Sequence, residues 1–210
     1  MDESMPIWGL LLAAGRGIRF GRQKHDVELG GIPIWQQSEG ALLNGGVDHL
    51  IVVGDLDGAV PGGDRRRDSV ASGLAVIPDD AGLVLIHDAA RPLVTAQLVR
   101  TVIDRLLIGD VAGVVPAVPV RDTLKRVSGD IVVETVDRAD LVAVQTPQGF
   151  DLATLRAAHA APGRDATDDA SMVEAIGGTI AIVDGDPSNL KVTYPEDLAL
   201  AEALRSRQHG

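Results

Sequence analysis

Leu11-Leu12-Ala13-Ala14-Gly15-Arg16-Gly17-Ile18-Arg19 is the stretch on which the reading of this chain turns. An apolar run that reads as a buried strand ends in Ala-Ala-Gly and opens into a glycine-containing turn carrying two arginines. Small residues there let backbone N–H groups approach an anion closely, and the arginines supply fixed positive charge. A triphosphate needs both. A tight strand-to-helix turn with solvated arginines would use similar residues, but the placement after a strand near the N-terminus favours phosphate.

Working outward, apolar runs recur at Ile7–Ala13, Leu50–Val53, Leu83–Ile86, Gly113–Ala117 and Thr179–Val183. Helix-like segments lie between and after them, at 33–43, 66–77, 96–107, 152–160, 170–176 and 196–205. The alternation predicts an α/β fold: a Rossmann-like, mostly parallel sheet with helices on both faces. Ligands of such sheets bind beyond the carboxyl ends of the strands, where the Gly15 turn falls. One stretch breaks the rhythm. Leu124–Val127 and Ile131–Thr135 flank the turn Ser128-Gly129-Asp130 and read as a β-hairpin with a thin apolar face. It predicts a protruding arm over roughly 119–140 that mediates dimerisation, on a single domain spanning 1–210.

At 210 residues, 45% of them apolar, the chain can bury a real core. It has no cysteine, which excludes disulfides and thiolate metal sites and suits a cytoplasmic protein. No apolar run approaches membrane-spanning length, and Met1-Asp2-Glu3-Ser4 is unlike a secretory leader. The net charge of −11 and the scarcity of aromatics argue against nucleic-acid and membrane partners. The cations nevertheless gather at Arg16–Lys24, Arg65–Arg67, Arg91, Arg121–Arg126, Arg138 and Lys191, mostly in predicted loops. That distribution points to a small polyanionic ligand.

His87-Asp88-Ala89-Ala90-Arg91-Pro92 closes another apolar run. Asp88 at a strand end is placed to hold Mg²⁺ against phosphate oxygens, Arg91 can hold the strand end or a phosphate, and His87 reads as a hydrogen-bonded structural residue. Gly62-Gly63-Asp64-Arg65-Arg66-Arg67-Asp68-Ser69 is a second glycine turn entering a helix, either a base-reading loop or a charged first helical turn. Thr146 in Gln145–Phe150 and Thr167 before Asp168–Ser171 each read as a hydroxyl at a loop-to-helix junction. Lys191 in Asn189–Thr193 sits in an extended segment, an unusual place unless it reaches an anion or an acid.

In order, L-L-A-A-G-R-G-x-R-F, G-G-x-x-R-x-D-S-V, H-D-A-A-R-P, D-T-L-K-R, D-R-x-x-L, Q-T-P-Q-G-F, T-D-D-A-S and N-L-K-V-T-x-P-E-D resemble the cytidylyltransferases of the non-mevalonate isoprenoid pathway, from about Trp8 to Leu204. The resemblance implies a cytoplasmic homodimer joined through the β-arm, with CTP and Mg²⁺ as co-substrate and cofactor. It implies transfer of CMP to 2-C-methyl-D-erythritol 4-phosphate, giving 4-diphosphocytidyl-2-C-methyl-D-erythritol and pyrophosphate. By motif, Ala13, Ala14, Gly15, Gly17 and Ala89 would cradle CTP, and Gly63, Asp64 and Ser69 would read cytosine. Asp88 would hold the metal, and Arg19 and Lys24 would stabilise the transition state. Thr123 and Arg138 from the partner's arm would join Thr146, Thr167 and Lys191 around the acceptor, with Arg138 and Lys191 catalytic alongside Arg19 and Lys24.

The chain departs from that pattern twice. Arg22–Gly30 is shorter than its counterpart and lacks a proline and a glutamine, although Lys24 keeps the expected distance to Gly30. The stretch between Val53 and Gly62 lacks a helix seen in relatives. Ribitol 5-phosphate is the nearest alternative acceptor. A dinucleotide-dependent oxidoreductase fits less well, because Phe20 stands where its fingerprint needs glycine. A catalytically silent binding protein draws only on the altered Lys24 run.

Overall fold

The computed structural model describes residues 5–14, 27–161 and 168–208. In chain order the elements are β1 (Ile7–Leu12), β2 (Glu28–Leu29), β3 (Ile32–Pro33), α1 (Ile34–Asn44), β4 (His49–Val53), α2 (Arg66–Leu74), β5 (Leu83–Asp88), α3 (Ala96–Leu106) and β6 (Gly113–Pro119). Then follow β7 (Leu124–Ser128), β8 (Ile131–Val136), β9 (Val142–Val144), β10 (Gln148–Asp151), α4 (Leu152–Ala160), α5 (Asp169–Ala175), β11 (Ile180–Asp184) and α6 (Pro195–Gln208). Every strand and helix expected from the sequence is present, with ends shifted by a few residues.

The main sheet runs β11-β6-β10-β5-β1-β4, with β9 paired to β6. β1 is parallel to both β4 and β5, and β6 is parallel to β11. The sequence reading places no strand at β10, which lies antiparallel between β5 and β6. Thr146 therefore precedes a strand and not a helix, a correction to the loop-to-helix reading. Gln148-Gly149-Phe150 is too short and polar to announce itself, and its pairing with Leu83–Ile86 is entirely tertiary. Gly149 also admits α3, since a Cβ there would stand 2.9 Å from Val102.

Strand residues face alternate sides, and both sides are covered. Leu10, Val84, Ile86, Val115 and Phe150 pack with Val70 and Leu74 of α2, Leu155 of α4 and Val173 of α5. Leu11 and Leu85 pack with Leu42 of α1 and Leu98, Val99 and Ile103 of α3 on the other face. Side-chain caps start three helices: Thr95 accepts from Leu98 N, Asp151 from Thr154 N, and Asp168 from Ser171 N. The last makes Asp168 the cap of α5, the role the sequence reading shares with Thr167.

β7 and β8 pair with each other in a sheet of their own. The two-residue turn has a positive φ at Gly129 and none at Asp130, the type II′ pattern. Apart from Leu124 and Val136 both strands are exposed, including Val127, Ile131, Val132 and Val133. The hairpin thus stands away from the two covered faces. No helix among the described residues is long and apolar enough to cross a membrane.

Candidate active site

β1, β4, β5, β6 and β11 all run one way, so their carboxyl ends share one edge of the sheet. The amino end of the reversed β10 joins them there. The chain leaves β1 for β4 on one side and reaches β5 on the other, so β1 marks the switch point where such sheets open a crevice. Ala13 and Ala14 emerge from it.

Two glycines build the wall beside them. A Cβ on Gly54 would stand 2.8 Å from the Ala13 carbonyl carbon, and one on Gly62 would stand 2.4 Å from Ala14 Cβ. Neither approach is open to another residue, so the Gly62–Ser69 loop rests directly on Ala14. Within it Gly63 N donates to Ser69 Oγ at 3.1 Å, and the Ser69 hydroxyl lies 3.3 Å from the Arg65 carbonyl oxygen, its acceptor. Arg65 pairs with Asp68, and α2 begins one residue later. The loop is therefore both a wall of the crevice and a charged helix start. Asp64 is exposed on it, and residues 54–65 contain no helix. Ala89 is buried beside β1, its N–H donating to Leu12 O at 3.1 Å.

Asp88 ends β5 at the centre of this edge. Its Oδ1 accepts from Arg66 Nε at 3.2 Å and its Oδ2 from Lys191 Nζ at 2.6 Å. Lys191 thus reaches an acid, as its place in an extended segment suggests. Burial pushes the Asp88 carboxyl up, but Arg66 and Lys191 outweigh it and hold the group well below the usual carboxylate range. For Arg66, burial opposes the charge, and Asp169 and Asp88 more than offset it, so its pKa stands above the ordinary arginine value.

A hydrogen-bonded lattice sets the Lys191 segment against β5. Asn189 Nδ2 donates to Thr146 O at 2.9 Å, Arg91 Nη1 to Asn189 O at 2.8 Å, and Val192 N to Ala90 O at 2.8 Å. Arg91 thereby holds the strand end, one of its two expected roles. Beneath it His87 is fully buried, with Nε2 3.3 Å from Arg91 O and Nδ1 3.0 Å from Thr146 Oγ1. A carbonyl only accepts, so Nε2 carries the proton and Nδ1 accepts from the Thr146 hydroxyl. Thr146 Oγ1 in turn accepts from Asp88 N at 3.2 Å.

Burial pushes the His87 pKa down to about 4 from 6.5. In the unfolded chain the imidazole takes its proton near pH 6.5, while in the folded chain it resists until about pH 4. Stability should therefore fall as pH drops through that window, by about 2–3 kcal/mol between pH 7.5 and 4.5 from this group. Urea midpoints at the two pH values, compared with those of His87→Asn, measure it. The variant should lose that part of the slope, and an unchanged slope contradicts the assignment.

Gly15, Gly17, Arg19, Lys24 and Thr167 lie outside the described residues. Thr123 and Arg138 are exposed at the base of the hairpin, where Arg138 Nη1 donates to Arg121 O. Among the described residues no hydrogen bond joins either to the Asp88 cluster. The sequence reading does not foresee the pairing of Arg66 with Asp88 and Asp169, the bond from Gln145 Nε2 to Asp186 O, or that from Asn189 Nδ2 to Thr146 O. Arg66 and Asp169 lie 103 positions apart, a pairing no local pattern carries.

A family model, 2-C-methyl-D-erythritol 4-phosphate cytidylyltransferase (IspD), matches residues 7–207. A bifunctional enzyme IspD/IspF of Solidesulfovibrio magneticus is 46% identical over 95% of this chain, which spans 57% of that relative's length. A 2-C-methyl-D-erythritol 4-phosphate cytidylyltransferase of Streptomyces coelicolor is 44% identical over 93% of this chain and 83% of its own. The crystal structure of the Thermus thermophilus enzyme of that name superposes with a TM-score of 0.80 at 35% identity, covering 94% of this chain and 98% of that one. By matched length, identity and fold alike, this chain belongs to the 2-C-methyl-D-erythritol 4-phosphate cytidylyltransferase family.

Proposed function

We propose that this protein transfers CMP from CTP to 2-C-methyl-D-erythritol 4-phosphate, as a cytoplasmic nucleotidyltransferase whose single domain spans 1–210. The observation that carries this reading is the meeting, at one sheet edge, of the Ala13–Ala14 and Gly62–Ser69 walls with the Lys191–Asp88–Arg66 cluster. A phosphate oxygen of the acceptor attacks the α-phosphorus of CTP, one P–O bond forms, and the bond to the β-phosphate oxygen breaks to release pyrophosphate. That nucleophile is already anionic near neutral pH, so positioning and charge neutralisation suffice without a general base.

Ala13, Ala14, Gly15, Gly17 and Ala89 cradle the triphosphate, and Gly63, Asp64 and Ser69 read the cytosine edge. Arg19 and Lys24 neutralise charge developing at the α-phosphate. Thr146, Thr167 and Lys191 form the acceptor side, with Thr123 and Arg138 supplied by a second subunit. Asp88 is a single carboxylate whose oxygens keep lone pairs beyond their Arg66 and Lys191 bonds. Among the described residues no set of three metal-ligating side chains converges. Such a donor suits Mg²⁺ that arrives on a nucleotide and takes most of its ligands from phosphates and water. Held there, the ion would supply charge neutralisation to the triphosphate.

The hairpin's exposed Val127, Ile131, Val132 and Val133 support a homodimeric arm, because two strands alone rarely hold apolar residues open to water on both faces. If the arm completes the neighbour's site, mixed dimers of Arg138→Ala and Lys191→Ala chains should keep one intact site per dimer. Turnover in the mixture, with each parent variant nearly silent, is the expected result. Failure of the mixture to recover argues that each chain works alone.

The reaction itself is tested by label. With CTP carrying ³²P at the α-position the label should enter the methylerythritol product, and with γ-label it should leave in pyrophosphate. Release of γ-label as inorganic phosphate would contradict cytidylyl transfer.

A further inference from the structure

One guanidinium joins three parts of this edge. Arg66 is the first residue of α2, directly after the loop that rests on Ala14. Its Nε reaches Asp88 at the end of β5 and its Nη1 reaches Asp169 Oδ2, at the start of α5, at 2.6 Å. Asp169 is fully buried, and its Oδ1 lies 3.0 Å from His159 Nε2 of α4. Asp168, the preceding residue, accepts from Gln148 Nε2 at 2.9 Å, which ties α5 to β10 just beyond Thr146. A continuous polar chain therefore runs Lys191–Asp88–Arg66–Asp169–His159.

A charged chain of this kind is a poor way to gain stability alone, because well-packed apolar residues often serve as well or better. Its placement is informative. Arg66 bonds two different carboxylates through two nitrogens of one planar fork, which fixes both the distance and the angle between them. Arg66 itself opens the helix that follows the nucleotide loop, whereas Asp88 carries Lys191 and holds Thr146 through its backbone, and Asp169 follows Asp168, which is tied to β10 just beyond Thr146. The nucleotide loop has separate supports in the Gly63–Ser69 and Arg65–Asp68 bonds. Loosening the fork should therefore shift the acceptor side relative to the nucleotide, and leave cytosine recognition intact.

We propose that Arg66 is a positioning residue for the transfer, acting through Asp88 and Asp169 to set the acceptor side against the bound nucleotide. The proposal rests on the cytidylyltransferase reading of this site. Lysine keeps the charge but can satisfy only one carboxylate in good geometry, so Arg66→Lys separates positioning from charge.

The test is steady-state kinetics of the purified protein with CTP and methylerythritol phosphate varied separately. Arg66→Lys should lower kcat by ~10–100-fold and raise the acceptor KM about fivefold or more, with the CTP KM within about twofold of wild type. Asp169→Asn, which keeps shape and an acceptor oxygen, should raise the acceptor KM in the same direction. Added to Arg66→Lys it should contribute less than about twofold more, since the two act through one contact. Wild-type-like kcat and acceptor KM in Arg66→Lys, a rise confined to the CTP KM, or independent multiplying effects would each overturn the proposal. If Arg66→Lys does not fold, Asp169→Asn decides alone: a raised acceptor KM at constant CTP KM supports the proposal, and an unchanged one overturns it. A wild-type enzyme silent with every acceptor overturns instead the functional reading beneath it, an outcome distinct from active wild type with unaffected variants.

Discussion

Arg19→Ala and Lys24→Ala should each lower turnover by ~10²–10³, about 3–4 kcal/mol, with little change in CTP binding. The reaction needs no proton removed from its nucleophile, so rate enhancement has to come from positioning and from cations aimed at the phosphorus undergoing attack. A cation aimed at charge that develops only in the transition state affects kcat and spares ground-state affinity. Lys24 is the sharper of the two tests. Its surroundings, Arg22–Gly30, are shorter than the family pattern, and the lysine is assigned by its spacing to Gly30. Stopped-flow or coupled pyrophosphate assays at saturating substrates measure the effect. Near-wild-type turnover in Lys24→Ala would move the catalytic role to another cation of the Arg16–Arg22 run.

Asp88→Asn should cost a comparable ~10²–10³ in turnover and blunt the response of the rate to added Mg²⁺. The carboxylate is held ionised by Arg66 and Lys191, so the folded protein presents a full negative charge where a nucleotide-borne cation would sit. Asparagine preserves shape and one acceptor oxygen and removes that charge. Arg66 keeps its Asp169 bond in the variant, and the Lys191 side chain is 44% exposed and can be solvated, so folding should survive. A Mg²⁺ titration of kcat for both proteins gives the comparison. An unchanged rate and an unchanged half-saturating concentration of the ion would remove Asp88 from the metal's environment.

The sheet was legible because its buried strands are near-continuous aliphatic runs, and the hairpin because Gly129 supplies the positive φ its turn requires. Lys191 was legible for a chemical reason: a lysine in an extended segment asks for an anion or an acid, and it bonds Asp88. β10 was not legible, since Gln148-Gly149-Phe150 owes its strand conformation to β5 and β6 and to no local pattern. The arginine run shows what the sequence leaves out: Arg65 closes on Asp68, Arg66 bridges two acids, and Arg67 donates to His159 O. Charge density can be read from a sequence, but which charges are consumed inside the fold is settled by contacts between distant residues, such as Arg66 and Asp169, 103 positions apart.

The most direct test of the account is pyrophosphate release with CTP and Mg²⁺, offering methylerythritol 4-phosphate and ribitol 5-phosphate in parallel. Release with the first acceptor alone is the predicted result. Release with ribitol 5-phosphate alone would contradict the acceptor assignment, and silence with both would contradict the chemistry.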